Sequence, residues 1–188
     1  MVALILLVTL FAADPRLESL WREGRTYETF HQDAKARRTL WDRNTERATV
    51  PEELVARARA TGNWRLLVVA VDRCSDSAST IPYVAALAAA AGNIELRIVT
   101  PTDARWIMEA HRTPDGRAAT PTLVLLDDSF EIVAAWVERP RELQDWVIAN
   151  RGKLSDREVL DYELDWYERD AGRSALTEII ALLERSKK

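Results

Sequence analysis

The residue with the most chemistry to offer is Cys74, the only cysteine in the chain. A single thiol excludes an intramolecular disulfide and any zinc site built from several thiolates. It leaves three readings: a buried apolar residue, a reactive thiol, or an incidental one. Ser77 occupies the place of the second thiol in a C-x-x-C pair, and its hydroxyl can donate to a thiolate or cap a helix. Arg73 favours a thiolate by its charge, and Asp76 opposes one if its carboxylate faces the sulfur. His31 and His111 are too few and too far apart to suggest a metal site and read as surface or packing residues. Trp64, Trp106, Trp136 and Trp146 read as core or interface residues rather than a ligand box.

The elements that position Cys74 follow from the flanking sequence. Trp64 to Val71 carries a continuous apolar core, short and rich in β-branched residues, which predicts a strand buried on both faces. Ser75-Asp76-Ser77 offers capping residues, and an alanine-rich helix runs from there to Ala91, stopped by Gly92-Asn93. Pro82 inside it predicts a kink or a late start. Cys74 thus falls at a strand-to-helix corner, where open α/β sheets place their sites and a helix amino end stabilises a thiolate.

Further along, Ile94 to Val99 alternates as a second strand, and Pro101-Thr102-Asp103 opens a helix to about His111. Pro114-Asp115-Gly116 is a turn signal. Pro121 to Leu126 predicts a third strand, and Phe130 to Val137 a fourth, antiparallel to it across Asp127-Asp128-Ser129. Pro121 itself reads as the first residue of an edge strand. Helices follow from Pro140, Asp156 and Ser174, the last two separated by Gly172. Ahead of the first strand, Leu17, Leu20 and Trp21 share helical spacing, and Tyr27 and Phe30 form a second cluster beyond Gly24. Asp33 to Arg47 predicts a solvated helix with one packed edge, and Pro51-Glu52-Glu53 starts another ending near Gly62. The order predicts an α/β fold: a βαβ unit plus a β-hairpin in a mixed sheet, with flanking helices.

The boundaries expected are 14–62 for an amino-terminal helical extension, 63–150 for the core and 151–188 for carboxy-terminal helices packed on it. The composition, 47% hydrophobic and 30% charged with seven tryptophans, supports a sizeable core over 188 residues. The net charge of −4 is interspersed, with no basic stripe, so no nucleic-acid partner is expected. Residues 1–13 form an uncharged apolar run, too short to span a bilayer, that fits the core of a signal peptide. No Lys or Arg precedes it and Phe11 suits a cleavage site poorly. The expectation is export, the alternative a hydrophobic arm on a cytoplasmic protein. No other stretch is long and apolar enough for an integral membrane span.

Asp72-Arg73-Cys74-Ser75-Asp76-Ser77, followed by Ile81-Pro82, resembles the active-site segment of thioredoxin-family proteins. It is most similar to a bacterial branch whose motif reads W-C-G-D-[SV]. Asn93 to Arg97, Asp115-Gly116-Arg117, Thr120-Pro121-Thr122, and Trp136 with Arg139-Pro140 extend the resemblance in order. Trp21 to Tyr27, Tyr167 to Asp170 and Glu178-Ile179 are similar to that branch's flanking helices. The resemblance implies a thioredoxin-like fold with Cys74 as the attacking thiol and Pro121 as the cis-proline beside it. It also implies that the Thr120 backbone pairs with a bound extended peptide or glutathione-like thiol.

Arg73 and Ser75 depart from the family's tryptophan and glycine, and the second thiol is absent. Without a resolving cysteine, a mixed disulfide on Cys74 must be released by an outside thiol. The resemblance therefore implies a monothiol thiol-disulfide oxidoreductase acting through Cys74 and Ser77. Arg73, Ser75, Asp76, Thr120 and Pro121 would line the substrate site. Its partners would be a low-molecular-weight thiol or a protein mixed disulfide, with no cofactor and no metal. The alternative is a non-catalytic binding module or redox sensor holding an extended segment between Cys74 and Pro121.

Overall fold

A computed structural model describes residues 14–187; the apolar run 1–13 and the export expected from it lie outside the described residues. Strand β1 (Trp64–Val69) is the centre of the architecture. Its side chains alternate between two apolar layers, Leu66 and Val68 toward one and Leu67 and Val69 toward the other. That is why its sequence reads as an unbroken apolar run.

β1 pairs in parallel with β2 (Ile94–Val99) and antiparallel with β3 (Thr122–Leu126), which pairs antiparallel with β4 (Ile132–Val137). The sheet order is β2-β1-β3-β4. β3 is therefore an interior strand that begins after Pro121, not an edge strand beginning at it. β4 starts two residues later than its sequence suggests because Phe130 turns with a positive φ of 59°.

Helices α1 (Pro15–Glu23) and α2 (Tyr27–Asp33) are joined by Arg25, whose N–H and C=O bridge to Ile98 and cover the outer edge of β2. The predicted helix over 33–47 is confined to α3 (Arg38–Arg47), entered through Arg37 in the left-handed region. α4 (Glu52–Arg59) leads into β1, α5 (Ser75–Ala91) connects β1 to β2, and α6 (Pro101–Ala110) follows β2. After β4 come α7 (Arg141–Asn150), α8 (Asp156–Asp170) and α9 (Arg173–Ser186). Residues of α2, α3, α4, α5 and α9 fill one side of the sheet, and those of α1 and α6 the other. No described helix is long and apolar enough to cross a membrane.

Pro82 does not delay α5, which starts at Ser75. Proline has no N–H to return to Ala78, four residues back, so that carbonyl would be orphaned. The Asn44 side chain of α3 donates to it at 2.9 Å, in a buried setting. The helix is mended from outside, and α3 is fixed to α5 at the same point. Gly172, between α8 and α9, has φ +77° and a Cβ there would stand 2.3 Å from the Tyr83 ring, so the break needs glycine twice over.

Candidate functional site

Cys74 itself is the N-cap of α5. It has extended backbone angles and its sulfur accepts from the Ser77 N–H at 3.4 Å. The capping role expected of Ser75-Asp76-Ser77 thus falls to the thiol. Ser77 supplies the amide, while its hydroxyl is fully buried with no partner. The Cys74 Sγ donates in turn to the Thr120 carbonyl at 3.1 Å. The Thr120–Pro121 peptide is cis. That corner is held by Thr122 Oγ1 donating to Ala119 O at 2.7 Å and Glu138 N–H donating to Pro121 O at 2.7 Å. Cys74, Ser77, Thr120 and Pro121 therefore converge. Ser75 is half-buried on the first turn of α5 and Arg73 is exposed on the loop before it.

The β1–α5 loop is gripped by the amino-terminal extension. The Asp72 carboxylate accepts from the amides of Ala36 at 2.9 Å and Lys35 at 3.0 Å, which hold it below the usual carboxylate range. Trp41, with no exposed surface, donates its indole N–H to the Asp72 carbonyl at 2.9 Å. Arg37 Nε donates to the Arg73 carbonyl at 2.6 Å. Trp41 was legible only as a packed position of a solvated helix, and nothing in the sequence pairs residues 35–44 with residues 72–78.

Asp76, expected among the substrate contacts, turns inward instead. Only 5% exposed, it accepts from Tyr167 Oη at 2.8 Å and Arg139 Nη2 at 3.0 Å. Arg139 also pairs with Glu138 at 2.9 Å and with Glu163. Glu138 is shared with Arg117 at 2.7 Å, Arg117 pairs with Asp115 at 2.8 Å, and Asp115 pairs with Arg151. The chain runs from the start of α5 to α8 and the end of α7. It holds four carboxylates against three guanidiniums, so ionising every member leaves one excess negative charge. Burial is the main cause that lifts Asp76 to about 7; Arg139 opposes the rise, and Glu163 and Glu138 add to it.

This placement reaches Cys74. Burial first, and the Asp76 charge second, push its thiol above the ordinary range, with the Ser77 amide offsetting part of the rise. The hydrogen bond to the Thr120 carbonyl needs the proton on sulfur and favours the same form. Arg73 is not among the main groups acting on the thiol. The helix start is thus insufficient to give a low-pKa thiolate in the resting site.

A mixed sheet of order β2-β1-β3-β4, with a cysteine capping the helix after its first strand and facing an X-Pro corner before β3, defines a thioredoxin-like α/β protein. The family described as Thioredoxin matches residues 24–155, and the chain belongs to it. Among solved structures, a protein of unknown function from Pseudomonas aeruginosa is similar, with 20% identity and a TM-score of 0.71 over 90% of this chain and 97% of that one. An HIV epitope scaffold is similar at 20% identity and a TM-score of 0.68, covering 89% and 96%. At that identity both speak to the fold alone. No curated protein matches at a significant level.

Proposed function

We propose that the protein carries out monothiol thiol-disulfide exchange through Cys74, on mixed disulfides of low-molecular-weight thiols or of proteins. The observation that carries this reading is the partly buried Cys74 at the strand-to-helix corner, its sulfur 3.1 Å from the Thr120 carbonyl. The Cys74 thiolate attacks one sulfur of R–S–S–R′, forming Cys74–S–S–R and releasing R′S⁻. An external thiolate R″S⁻ then attacks the R sulfur, releasing R–S–S–R″ and restoring the Cys74 thiolate. The Ser77 amide stabilises the thiolate, and loss of the proton frees the Thr120 carbonyl to accept from a partner N–H. A thiol of raised pKa is scarce as thiolate but more nucleophilic once formed, so exchange gains rate as pH rises.

A second reading, a binding module or redox sensor, is favoured by one observation. Burial first, and the Asp76 charge second, favour the protonated resting thiol, which donates to the Thr120 carbonyl. Turnover of a glutathione mixed disulfide with an excess external thiol separates the two. Exchange predicts loss of turnover in Cys74→Ser. A wild-type protein that never turns over leaves the binding module.

A further inference from the structure

Arginines in this protein are habitually ion-paired. Of the 22 in the chain, only Arg37, Arg73, Arg97, Arg169 and Arg185 lack an ion pair among the described residues. Two of the five, Arg37 and Arg73, sit together at the Cys74 loop, exposed and joined by the 2.6 Å bond from Arg37 Nε to the Arg73 carbonyl. Lys35, exposed and also without an ion pair, donates its amide to Asp72 on the same loop. A cleft of about 230 Å³ opens here, beyond the carboxyl ends of β1 and β2, with Arg73 and Arg25 on its walls and apolar Phe30 and Val71 between them.

The acids in the cleft are already engaged. Asp33 pairs with Arg25 at 3.5 Å, and Asp72 is satisfied by the two amides. Asp72 keeps its negative charge beside Arg73, so Lys35, Arg37 and Arg73 together leave an excess of two positive charges around the cleft, in a protein of net charge −4. The volume falls below the roughly 300–1,000 Å³ of drug-sized pockets, which suits one arm of a small molecule.

We propose that this cleft is the subsite for the carboxylate-bearing arm of a small-molecule thiol or disulfide whose sulfur meets Cys74. The inference rests on the exchange reading above and gives it a substrate class. Arg73 receives the carboxylate, with Arg37 held beside it by the bond to the Arg73 carbonyl, Val71 packs against its methylene stem, and the sulfur is directed to Cys74, the next residue along the chain.

Competing alkylation tests the subsite without requiring turnover. Iodoacetate and iodoacetamide both form an Sγ–carbon bond with the Cys74 thiolate as iodide leaves, and differ in one negative charge. Their rate ratio cancels the degree of thiol ionisation. In the folded protein at low ionic strength the ratio exceeds that of the same chain unfolded in urea. Arg73→Gln and Arg37→Gln each lower it by about two- to five-fold, the effect of one exposed charge contact. Added salt lowers it too, and Arg37→Lys, which keeps the charge, retains most of it.

A folded-state ratio no higher than the unfolded one overturns the proposal, as does a ratio that neither glutamine variant moves. So does failure of Cys74 to react with either reagent, because a substrate sulfur could not then reach it. Exchange itself is read separately, from mixed-disulfide turnover. An enriched ratio without turnover retains the anion subsite and removes the exchange reading alone.

Discussion

Replacing Arg139 with methionine keeps much of the side chain's volume and removes the one cation that touches Asp76, Glu138 and Glu163 together. Glu138 retains Arg117 at 2.7 Å, but Asp76 and Glu163 are left in the interior without a guanidinium. Removing one partner from a buried ion pair costs about 3–5 kcal/mol. For a chain of this length each kcal/mol moves the melting temperature by about 2–4 °C, so Arg139→Met should melt about 6–20 °C lower near neutral pH.

The pH dependence makes the prediction specific. In the parent protein Asp76 has a folded pKa raised to about 7, against about 3.9 when unfolded. Between those values the folded state holds one more proton than the unfolded state. This group's contribution is therefore most favourable at acid pH and is lost as pH rises toward 7. Without Arg139, Glu163, which burial already raises, must take up a second proton. Each extra proton is worth about 1.4 kcal/mol per pH unit, so the deficit of Arg139→Met should shrink by about 3 kcal/mol from pH 7 to pH 5. Denaturant melts of both proteins at the two pH values measure this directly. A melting temperature within about 2 °C of the parent at pH 7 would refute the reasoning, and so would a gap that fails to narrow on acidification.

Asp76→Asn removes the excess carboxylate and leaves three acids facing three guanidiniums. Above pH 7 it should be neutral or stabilising in the same melts, and it should lower the Cys74 thiol pKa, read as faster iodoacetamide alkylation at a given pH. Asn44→Ala leaves the Ala78 carbonyl unpaired beside Pro82 and should cost about 1–3 kcal/mol, seen in denaturant unfolding.

The two kinds of structure around Cys74 differ in how they are written into the sequence. The strand-to-helix corner follows from local grammar. Leu66 to Val69 must be buried on both sides, and Gly92 ends the helix, so Cys74 falls at a sheet edge whatever else the chain does. The direction of Asp76 is set by partners 63 and 91 residues away, Arg139 and Tyr167, and no local pattern encodes such a pairing. One clue was present: Glu163 and Tyr167 stand one helical turn apart, which puts a carboxylate and a phenol on one face of α8. The grip of Lys35, Arg37 and Trp41 on Asp72 and Arg73 is non-local in the same way, and it makes the loop depend on the extension that precedes the sheet. A lone thiol at a helix start would by local physics be acidified. Here its pKa is set by burial and by a carboxylate that Tyr167 of α8 helps to hold inside. The reactivity of Cys74 is thus a property of the whole assembled chain, and truncating α8 should alter the thiol even though the sulfur's hydrogen-bond partners, Ser77 and Thr120, lie outside that helix.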